Sequence, residues 1–443
     1  MICLPAHAAR AIARLEHAGY ETWAVGGCVR DGLMGRMPHD WDLCSAARPE
    51  QMKSVFADER VLDVGLRHGT LTVLTDDGPL EITTFRADGG YSDGRHPDSV
   101  RFVGSIEDDL ARRDFTIGAM AWHPQRGLCD PYGGLDDLQD GILRAVGEPD
   151  ARFREDALRI LRGVRFAAQL GFTVEPQTAA AMRRQQALLS RIAAERVREE
   201  LTGMLCGRFV QRALRDYADV LFAVLPELCP MYGCAQQNPH HLYDVWEHSL
   251  YTVGQVPAEP VLRWAALLHD CGKPCCKTVD ASAVGHFYGH PAAGCALAEQ
   301  LLRRLRFSNE QAAHILFLVE QHDRPLGEND KLLRRQLAKM GETRFRWLLS
   351  LKKGDAVGQG THPAYIAELC ETEARLNAVL EEDACLSLKQ LAVDGRDMMT
   401  LGLRGPAVGE MLQALLEAVL DRQTANTRQA LLELAKTRME ELK

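Results

Sequence analysis

The sequence predicts an α+β chain: a mixed α/β head on a small β-sheet, followed by segments that are all helical. Three observations predict it. Between residues 22 and 145, short alternating stretches such as HGTLTVLT and PLEITTFR sit between Gly- and Asp-rich turns, as paired strands do. Beyond about residue 150 that alternation stops, and Ala, Leu, Arg and Glu recur at helical spacing. The chain also has 443 residues, 46% hydrophobic and 26% charged, which is globular in composition and too long for one hydrophobic core.

The first element, within MICLPAHAARAIARLEHAGY, reads as an amphipathic helix; Pro5, His7, Arg10 and Arg14 break any signal-peptide core. TWAVGGCVR follows as a strand running into a Gly-Gly turn. HGTLTVLT and PLEITTFR, joined through DDG, read as a hairpin. DGGYSDGRHPD (88–98) is turn chemistry throughout and reads as a mobile loop. ALRILRGVRFAAQL, AAAMRRQQALL and AAERVREELTGML each give an apolar stripe with a charged back. Breaks near 148–150, 226–240 and 354–363 divide the chain into a head (1–147), a neck (148–235), a His-rich helical domain (236–360) and a helical tail (361–443).

Composition excludes several classes. No apolar run approaches the roughly 20 residues that span a bilayer. Thirteen scattered cysteines and no signal core point to reduced thiols and a cytoplasmic protein. The net charge of −9 argues against nucleic acid only until charge is read locally. Residues 151–210 carry eleven arginines against six acids, a local excess of five positive charges. That stretch is either a set of solvated helix faces or a phosphate-binding surface.

The head carries the first candidate chemistry. Gly26-Gly27 exposes backbone N–H groups of the kind a triphosphate needs, and Asp40 and Asp42 follow. Two carboxylates at i and i+2 on a strand share a face and can hold two Mg²⁺ ions over an attacking hydroxyl and a departing pyrophosphate. Glu81, on one face of its strand with Thr83 and Phe85, is either a third carboxylate of that site or an edge-strand charge. Arg112 and Arg113 suit a triphosphate, and Asp114 can accept from ribose hydroxyls. The turn DPYGGLDDL (130–138) reads as a structural brace.

In the neck, Asp156 and Arg159 in EDALRILR are i, i+3 neighbours on one helix face. The bland reading is an intrahelical ion pair. The functional one is a base reader: a carboxylate accepts from an exocyclic amine while a guanidinium donates to a ring acceptor. Cytosine and adenine present that order; uracil and guanine present the reverse.

VGGCVRDGLMGRMPHDWDLC, EITTFR, RRDFTIGAM, DPYGGLDDL, EDALRILRGVRFAAQLGF and ERVREEL, in order over about residues 21–205, together resemble the class II tRNA nucleotidyltransferases, the CCA-adding enzymes of the polymerase-β-like superfamily. Bacterial poly(A) polymerases share the same head and neck. The resemblance implies metal-binding Asp40 and Asp42, triphosphate contacts from Gly26, Gly27 and Arg30, and a ribose-reading motif at Arg112, Arg113 and Asp114. It also implies a protein template for CTP and ATP at Asp156 and Arg159, with Arg162 of the same motif in the nucleotide site, and a flexible loop around Arg86–Pro97 needed for the switch to ATP. One departure is Gly118, where the family usually has Asn.

Downstream stand His241, His248, His269-Asp270, His286, His290, His322-Asp323 and Asp355. An adjacent His-Asp inside an apolar helix is costly to bury unpaired. The pattern resembles the HD phosphohydrolase superfamily, which implies His248, His269, Asp270 and Asp355 as metal ligands, with His290 and His322 for a second ion. Imidazole plus carboxylate suits Mn²⁺, Ni²⁺, Zn²⁺ or Fe²⁺. Cys271, Cys275 and Cys276 crowd the same turn and read as buried small residues in preference to a zinc site. The resemblance to the CCA-adding enzymes implies that the helical tail, 361–443, grips the tRNA elbow.

The leading expectation is template-independent addition of C, C and A to tRNA 3′ ends from CTP and ATP. Within the class, the competing readings are a poly(A) polymerase or a partial adder of CC or A. Outside it stand an HD phosphohydrolase with a vestigial head and a non-catalytic RNA-binding scaffold.

Overall fold

The computed structural model describes residues 2–65, 69–88, 100–237, 242–360, 363–382 and 385–441. The chain divides into two compact units, 1–226 and 227–443.

In the first unit, helix α1 (Ala6–His17) buries Ala8, Ala11, Ile12 and Leu15, the stripe its spacing predicts. Strand β1 (Thr22–Val25) is buried along its length and runs through Gly26 into the short helix α2 (Gly27–Leu33). Then come β2 (Asp42–Ser45), α3 (Pro49–Val55), β3 (Arg60–Gly65), β4 (Thr70–Thr75) and β5 (Gly78–Thr84). β4 and β5 form the expected hairpin across Asp76-Asp77, with Thr75 opposite Gly78. β6 (Arg86–Asp88) and β7 (Val100–Phe102) pair as an antiparallel ribbon. The expected mobile loop between them lies outside the described residues. Helix α4 (Ile106–Ala111), β8 (Ala121–His123) and β9 (Gly127–Cys129) complete the head.

Among the described residues, seven strands make one mixed sheet in the order β3-β4-β5-β2-β1-β8-β9. β2 lies inside it, antiparallel to β1 and parallel to β5. Phe85 departs from the expected face: β5 ends at Thr84, and Phe85 turns fully into a core with Trp23, Val25 and Leu110.

Helices α5 (Gly134–Asp140), α6 (Pro149–Glu155), α7 (Leu158–Leu170), α8 (Pro176–Gln185), α9 (Ala194–Leu205), α10 (Val210–Asp216) and α11 (Ala218–Phe222) finish the unit. Strand pairing does not stop wholly at 150. Short β10 (Ile142–Leu143) pairs in parallel with β11 (Thr173–Val174) and ties the neck to the head. EDALRILR is not one helix either. α6 ends at Glu155, and Asp156 is extended at φ −139° and ψ 104°. Its carboxylate accepts from Leu158 N at 3.0 Å, so it opens α7 rather than sitting inside it.

The second unit is helical apart from the small hairpin of β12 (Thr278–Val279) and β13 (Gly285–His286). Its helices are α12 (Val245–Gln255), α13 (Pro260–Leu268), α14 (Lys273–Cys276), α15 (His290–Arg304), α16 (Asn309–Gln321), α17 (Asp330–Met340), α18 (Glu342–Gln359), α19 (Pro363–Glu381), α20 (Gly395–Thr400), α21 (Pro406–Leu420) and α22 (Arg428–Glu441). α12 and α18 approach closely because Gly354 and Gly358 carry no side chain. A Cβ at Gly354 would lie 2.7 Å from Val256 Cγ1, and one at Gly358 would lie 2.8 Å from Thr252 Oγ1. No helix among the described residues is long and apolar enough to cross a membrane.

Candidate active site and metal centre

The carboxylates of the head meet across strands. Asp42 and Glu81 are direct partners in the β2–β5 register, so both side chains leave the same face of the sheet. Asp42 is raised from its ordinary carboxylate value by crowding of its surroundings, then by the like charges of Glu81 and Asp40, with Arg113 opposing. A cluster that disfavours its own ionisation in this way fits a divalent cation, which would relieve the repulsion. Asp40 is not on the strand as expected. It lies in a bend before β2, 83% exposed, with Oδ1 3.0 Å from His39 Nδ1. Ladder pairing of β2 begins only at Asp42, so nothing extends the strand back to Asp40.

Gly26 adopts φ 75°, a left-handed conformation natural to glycine. A Cβ there would lie 2.7 Å from Arg113 Nη1, so the Gly-Gly turn lets this guanidinium close in. Arg113 also donates to the Gly118 carbonyl at 3.3 Å. Where the resemblance leads one to expect Asn there is thus a glycine, whose backbone oxygen touches Arg113. Arg30 donates to Asp31 at 2.8 Å and lies over Phe166, 5.4 Å from the ring centroid.

Sequence reasoning missed Asp109. It is fully buried on α4, and its Oδ1 accepts from Arg112 Nη2 at 2.8 Å while Oδ2 accepts from Arg113 Nη2 at 3.1 Å. Oδ1 also accepts from Arg86 N at 3.3 Å, at the start of the β6–β7 ribbon. Burial opposes its ionisation, but Arg112 and Arg113 outweigh that and hold the carboxyl below its usual range. The i+3 and i+4 spacing to the two arginines was the available signal. Asp109→Asn should leave two guanidiniums without their counter-charge and lower stability by about 3–5 kcal/mol. It should also raise KM for the incoming nucleotide, measured beside thermal unfolding of the same variant.

The neck residues are tied into ion pairs. Asp114 Oδ2 accepts from Arg162 Nε at 2.6 Å, and Arg165 Nε donates to Glu200 at 2.6 Å. Asp156 accepts from Arg196 at 3.0 Å. Arg159, buried, donates to Glu155 at 2.8 Å and to the Arg112 carbonyl at 2.8 Å. The expected pair inside one helix is therefore corrected: Asp156 stands at the start of α7, its carbonyl accepting from Arg159 N at 3.1 Å, while the two side chains bond to Arg196 and Glu155. The 130–138 turn is the brace its chemistry suggested. Asp130 accepts from Gly134 N and Leu135 N, and Asp137 accepts from Thr116 Oγ1.

The second constellation is buried and convergent. His248 comes from α12. His269 caps the C-terminus of α13 and Asp270 follows it. His290 opens α15, His322 caps the C-terminus of α16, and Asp355 lies on α18. His269-Asp270 is thus at a helix end, not inside the helix as expected, so two helix C-termini turn their negative poles toward the cluster. His248 Nε2 lies 3.2 Å from His269 Nε2 and 2.9 Å from Asp355 Oδ1. His290 Nε2 lies 3.2 Å from His322 Nε2. Asp270 joins both groups, with Oδ2 3.2 Å from His269 and Oδ1 3.4 Å from His290. Although burial opposes ionisation, His269 and Lys273 hold the Asp270 carboxyl well below its ordinary value.

The Nδ1 atoms of His269, His290 and His322 lie 2.8, 2.9 and 2.7 Å from the carbonyls of Ala266, Phe287 and Val319. A carbonyl only accepts, so each Nδ1 carries the hydrogen and each Nε2 faces the cluster, able to ligate once it carries no proton. Imidazole nitrogens and carboxylates brought this close fit a divalent transition metal. Gly272 permits the turn, since its Cβ would lie 2.2 Å from the His290 carbonyl. Sequence reasoning missed Lys273, whose Nζ is 2.7 Å from Asp270 Oδ2. Of the three cysteines here only Cys271 is buried, and burial pushes its thiol up to about 12, away from a metal-binding thiolate; neither cluster includes a cysteine. His241 lies outside the described residues.

The poly(A) polymerase head domain matches residues 22–144, and the HD domain matches 240–343. Models described as a "probable RNA and SrmB-binding site of polymerase A" and as tRNA nucleotidyltransferase domain 2 match 171–231 and 293–435. The CCA-adding enzyme of Lactiplantibacillus plantarum is 34% identical over 432 residues, 96% of this chain and 94% of that protein. The chain belongs to the CCA-adding enzymes. The CCA-adding enzyme of Levilactobacillus brevis is 33% identical, over 94% of each chain. The crystal structure of the Bacillus stearothermophilus CCA-adding enzyme in complex with CTP is similar at a TM-score of 0.74 and 30% identity, covering 98% of this chain and 97% of that one. The CCA-adding enzymes thus account for the head and the helical units alike. Both matched domain types imply divalent metal.

Proposed function

We propose that this chain adds C, C and A to tRNA 3′ ends in the cytoplasm, using CTP and ATP and no nucleic-acid template. The pairing of Asp42 with Glu81, beneath a Gly-Gly turn that admits Arg113, carries the reading. The tRNA 3′ hydroxyl gives up its proton to solvent and attacks the α-phosphorus of the nucleotide; the new P–O bond forms, the bond from the α-phosphorus to the α,β-bridging oxygen breaks, and pyrophosphate leaves. Asp40, Asp42 and Glu81 would hold Mg²⁺, which supplies charge neutralisation to the triphosphate when bound. Gly26, Gly27, Arg30, Arg112 and Arg113 receive the triphosphate, Asp114 the ribose, and Asp156, Arg159 and Arg162 the base. The working segments are the head (1–147), the nucleotide-selecting neck (148–235), the HD domain (236–360) and the tRNA-gripping tail (361–443).

The test is tRNA ending at its discriminator base, incubated with each nucleotide alone and with CTP and ATP together, followed by sequencing of the product ends. CCA only with both nucleotides, and CC with CTP alone, is the expected result. Long A tracts from ATP alone would instead make it a poly(A) polymerase.

Base choice is assigned to Asp156 and Arg159. Losing a charge-assisted hydrogen bond costs roughly tenfold to a hundredfold against the right base. Arg159→Ala should therefore flatten discrimination of CTP and ATP over UTP and GTP. Four kcat/KM values for wild type and variant decide it. Unchanged ratios with lowered stability would return Arg159 to its ion pair with Glu155.

A second activity is proposed for the buried His/Asp cluster: metal-dependent phosphate-ester hydrolysis, with Mn²⁺, Ni²⁺, Zn²⁺ or Fe²⁺ held by His248, His269, Asp270 and Asp355 and by His290 and His322.

A further inference from the structure

Cys275 and Cys276 end the one-turn helix α14, and neither is the buried small residue its sequence suggested: Cys275 is exposed and Cys276 half-buried. Their sulfurs lie 4.0 Å apart. The reactions proposed above use neither thiol. Cys275 Sγ donates to the Gly272 carbonyl at 3.1 Å, and Gly272 is packed so closely that a Cβ there would lie 2.2 Å from the His290 carbonyl. Lys273, which opens α14, is buried. Its amide donates to the Asp270 carbonyl at 2.9 Å, and its Nζ lies 2.7 Å from Asp270 Oδ2 and donates to Gln236 Oε1 at 2.9 Å. The two thiols therefore hang on a single turn of backbone at whose other end Lys273 meets Asp270.

Consecutive Cα atoms are about 3.8 Å apart, whereas ordinary disulfides hold theirs roughly 4.4–6.8 Å apart. A bond between neighbouring cysteines must therefore distort the backbone that joins them. It also consumes the thiol hydrogen with which Cys275 holds the Gly272 carbonyl. We propose that Cys275 and Cys276 are an oxidative modification site: a peroxide converts them to a disulfide, which unwinds α14 and loosens the Lys273–Asp270 contact. Cys275 is the more exposed of the two, while burial and then its neighbour's thiol raise Cys276 above the ordinary thiol value, so Cys275 attacks first. With hydrogen peroxide, the Cys275 sulfur bonds to one oxygen, the O–O bond breaks, and the departing oxygen leaves as water with the thiol proton. The Cys276 sulfur then attacks the Cys275 sulfur. The S–S bond forms, the S–O bond breaks, and the second oxygen leaves as water with the Cys276 proton. The two thiols are oxidised by two electrons and the peroxide is reduced by two.

The experiment treats the full chain with hydrogen peroxide, blocks the remaining thiols with an alkylating reagent and maps the peptides by mass spectrometry. Amide hydrogen exchange of the reduced and oxidised chain is followed beside it. The peptide holding both cysteines should escape alkylation and weigh two hydrogens less. Exchange over residues 270–277 should quicken by about tenfold or more in the oxidised chain, and a thiol reductant should restore both readouts. Cys275→Ser and Cys276→Ser, each of which keeps Cys271 and every other cysteine, should show neither change. Linkage of either residue to Cys271 or to another cysteine, or oxidation that runs to sulfinic or sulfonic acid without a disulfide, would overturn the proposal. A closed Cys275–Cys276 disulfide with unchanged exchange over 270–277 would overturn it too, as would the same loosening in peroxide-treated Cys276→Ser.

Discussion

Asp42→Ala should lower nucleotide incorporation by several orders of magnitude while leaving tRNA binding nearly intact. Asp42 sits opposite Glu81 on a central pair of parallel strands, and its carboxyl already suffers from its neighbours' charge. Phosphoryl transfer involves little covalent help from a protein, so its catalysis is mostly positioning and charge stabilisation. Deleting one carboxylate removes cation-binding capacity where charge develops. The side chain is exposed, so truncation should cost the fold little. The measurement is single-turnover addition of CMP to tRNA, beside a tRNA-binding titration. A variant with a tenth of wild-type activity would refute the assignment.

Asp270→Ala should abolish metal binding at both halves of the second cluster, because its two oxygens face two histidine pairs. Phosphate-ester hydrolysis should vanish with it. His322→Ala touches only one pair and should leave part of the metal content in place. Asp270 also counters Lys273, so its loss should cost stability, about 3–5 kcal/mol for an unpaired buried charge. Elemental analysis, melting temperature and CCA addition are to be read together. CCA addition should stay within a few-fold in variants that remain folded, since the carboxylates of the head belong to the other compact unit. A folded variant that lost both activities would overturn the separation of the two sites.

Much of this was legible in the sequence where chemistry follows local periodicity. Strand alternation put Glu81 on one face, and the DDG turn, with Asp76-Asp77 as its two-residue loop, set the β4–β5 register that carries it. That the histidines and aspartates of the second cluster converge was legible because an adjacent His-Asp in an apolar segment is costly to bury without partners. What escaped was long-range or backbone-level. Asp40 and Asp42 look alike in sequence, yet ladder pairing starts at Asp42 and leaves Asp40 in a bend. Asp156 and Arg159 look like an i, i+3 pair. The Asp156 carboxylate instead competes for the Leu158 amide, breaks the helix and turns to Arg196, forty residues away. Asp109 was hidden because an acid on a helix back reads as solvated until burial is known.

The close passage of α12 and α18 bears on how such domains change over generations. His248 and Asp355 meet where position 358 has no side chain. A methyl there would sit 2.8 Å from Thr252 Oγ1 and 3.3 Å from His248 Nδ1, prising the two helices apart. A lineage could therefore silence this centre by a single drift from glycine to alanine while every histidine and aspartate stays in its column. An inventory of ligands alone would score that descendant as intact, so the glycines of α18 belong in any judgement of which relatives retain the chemistry.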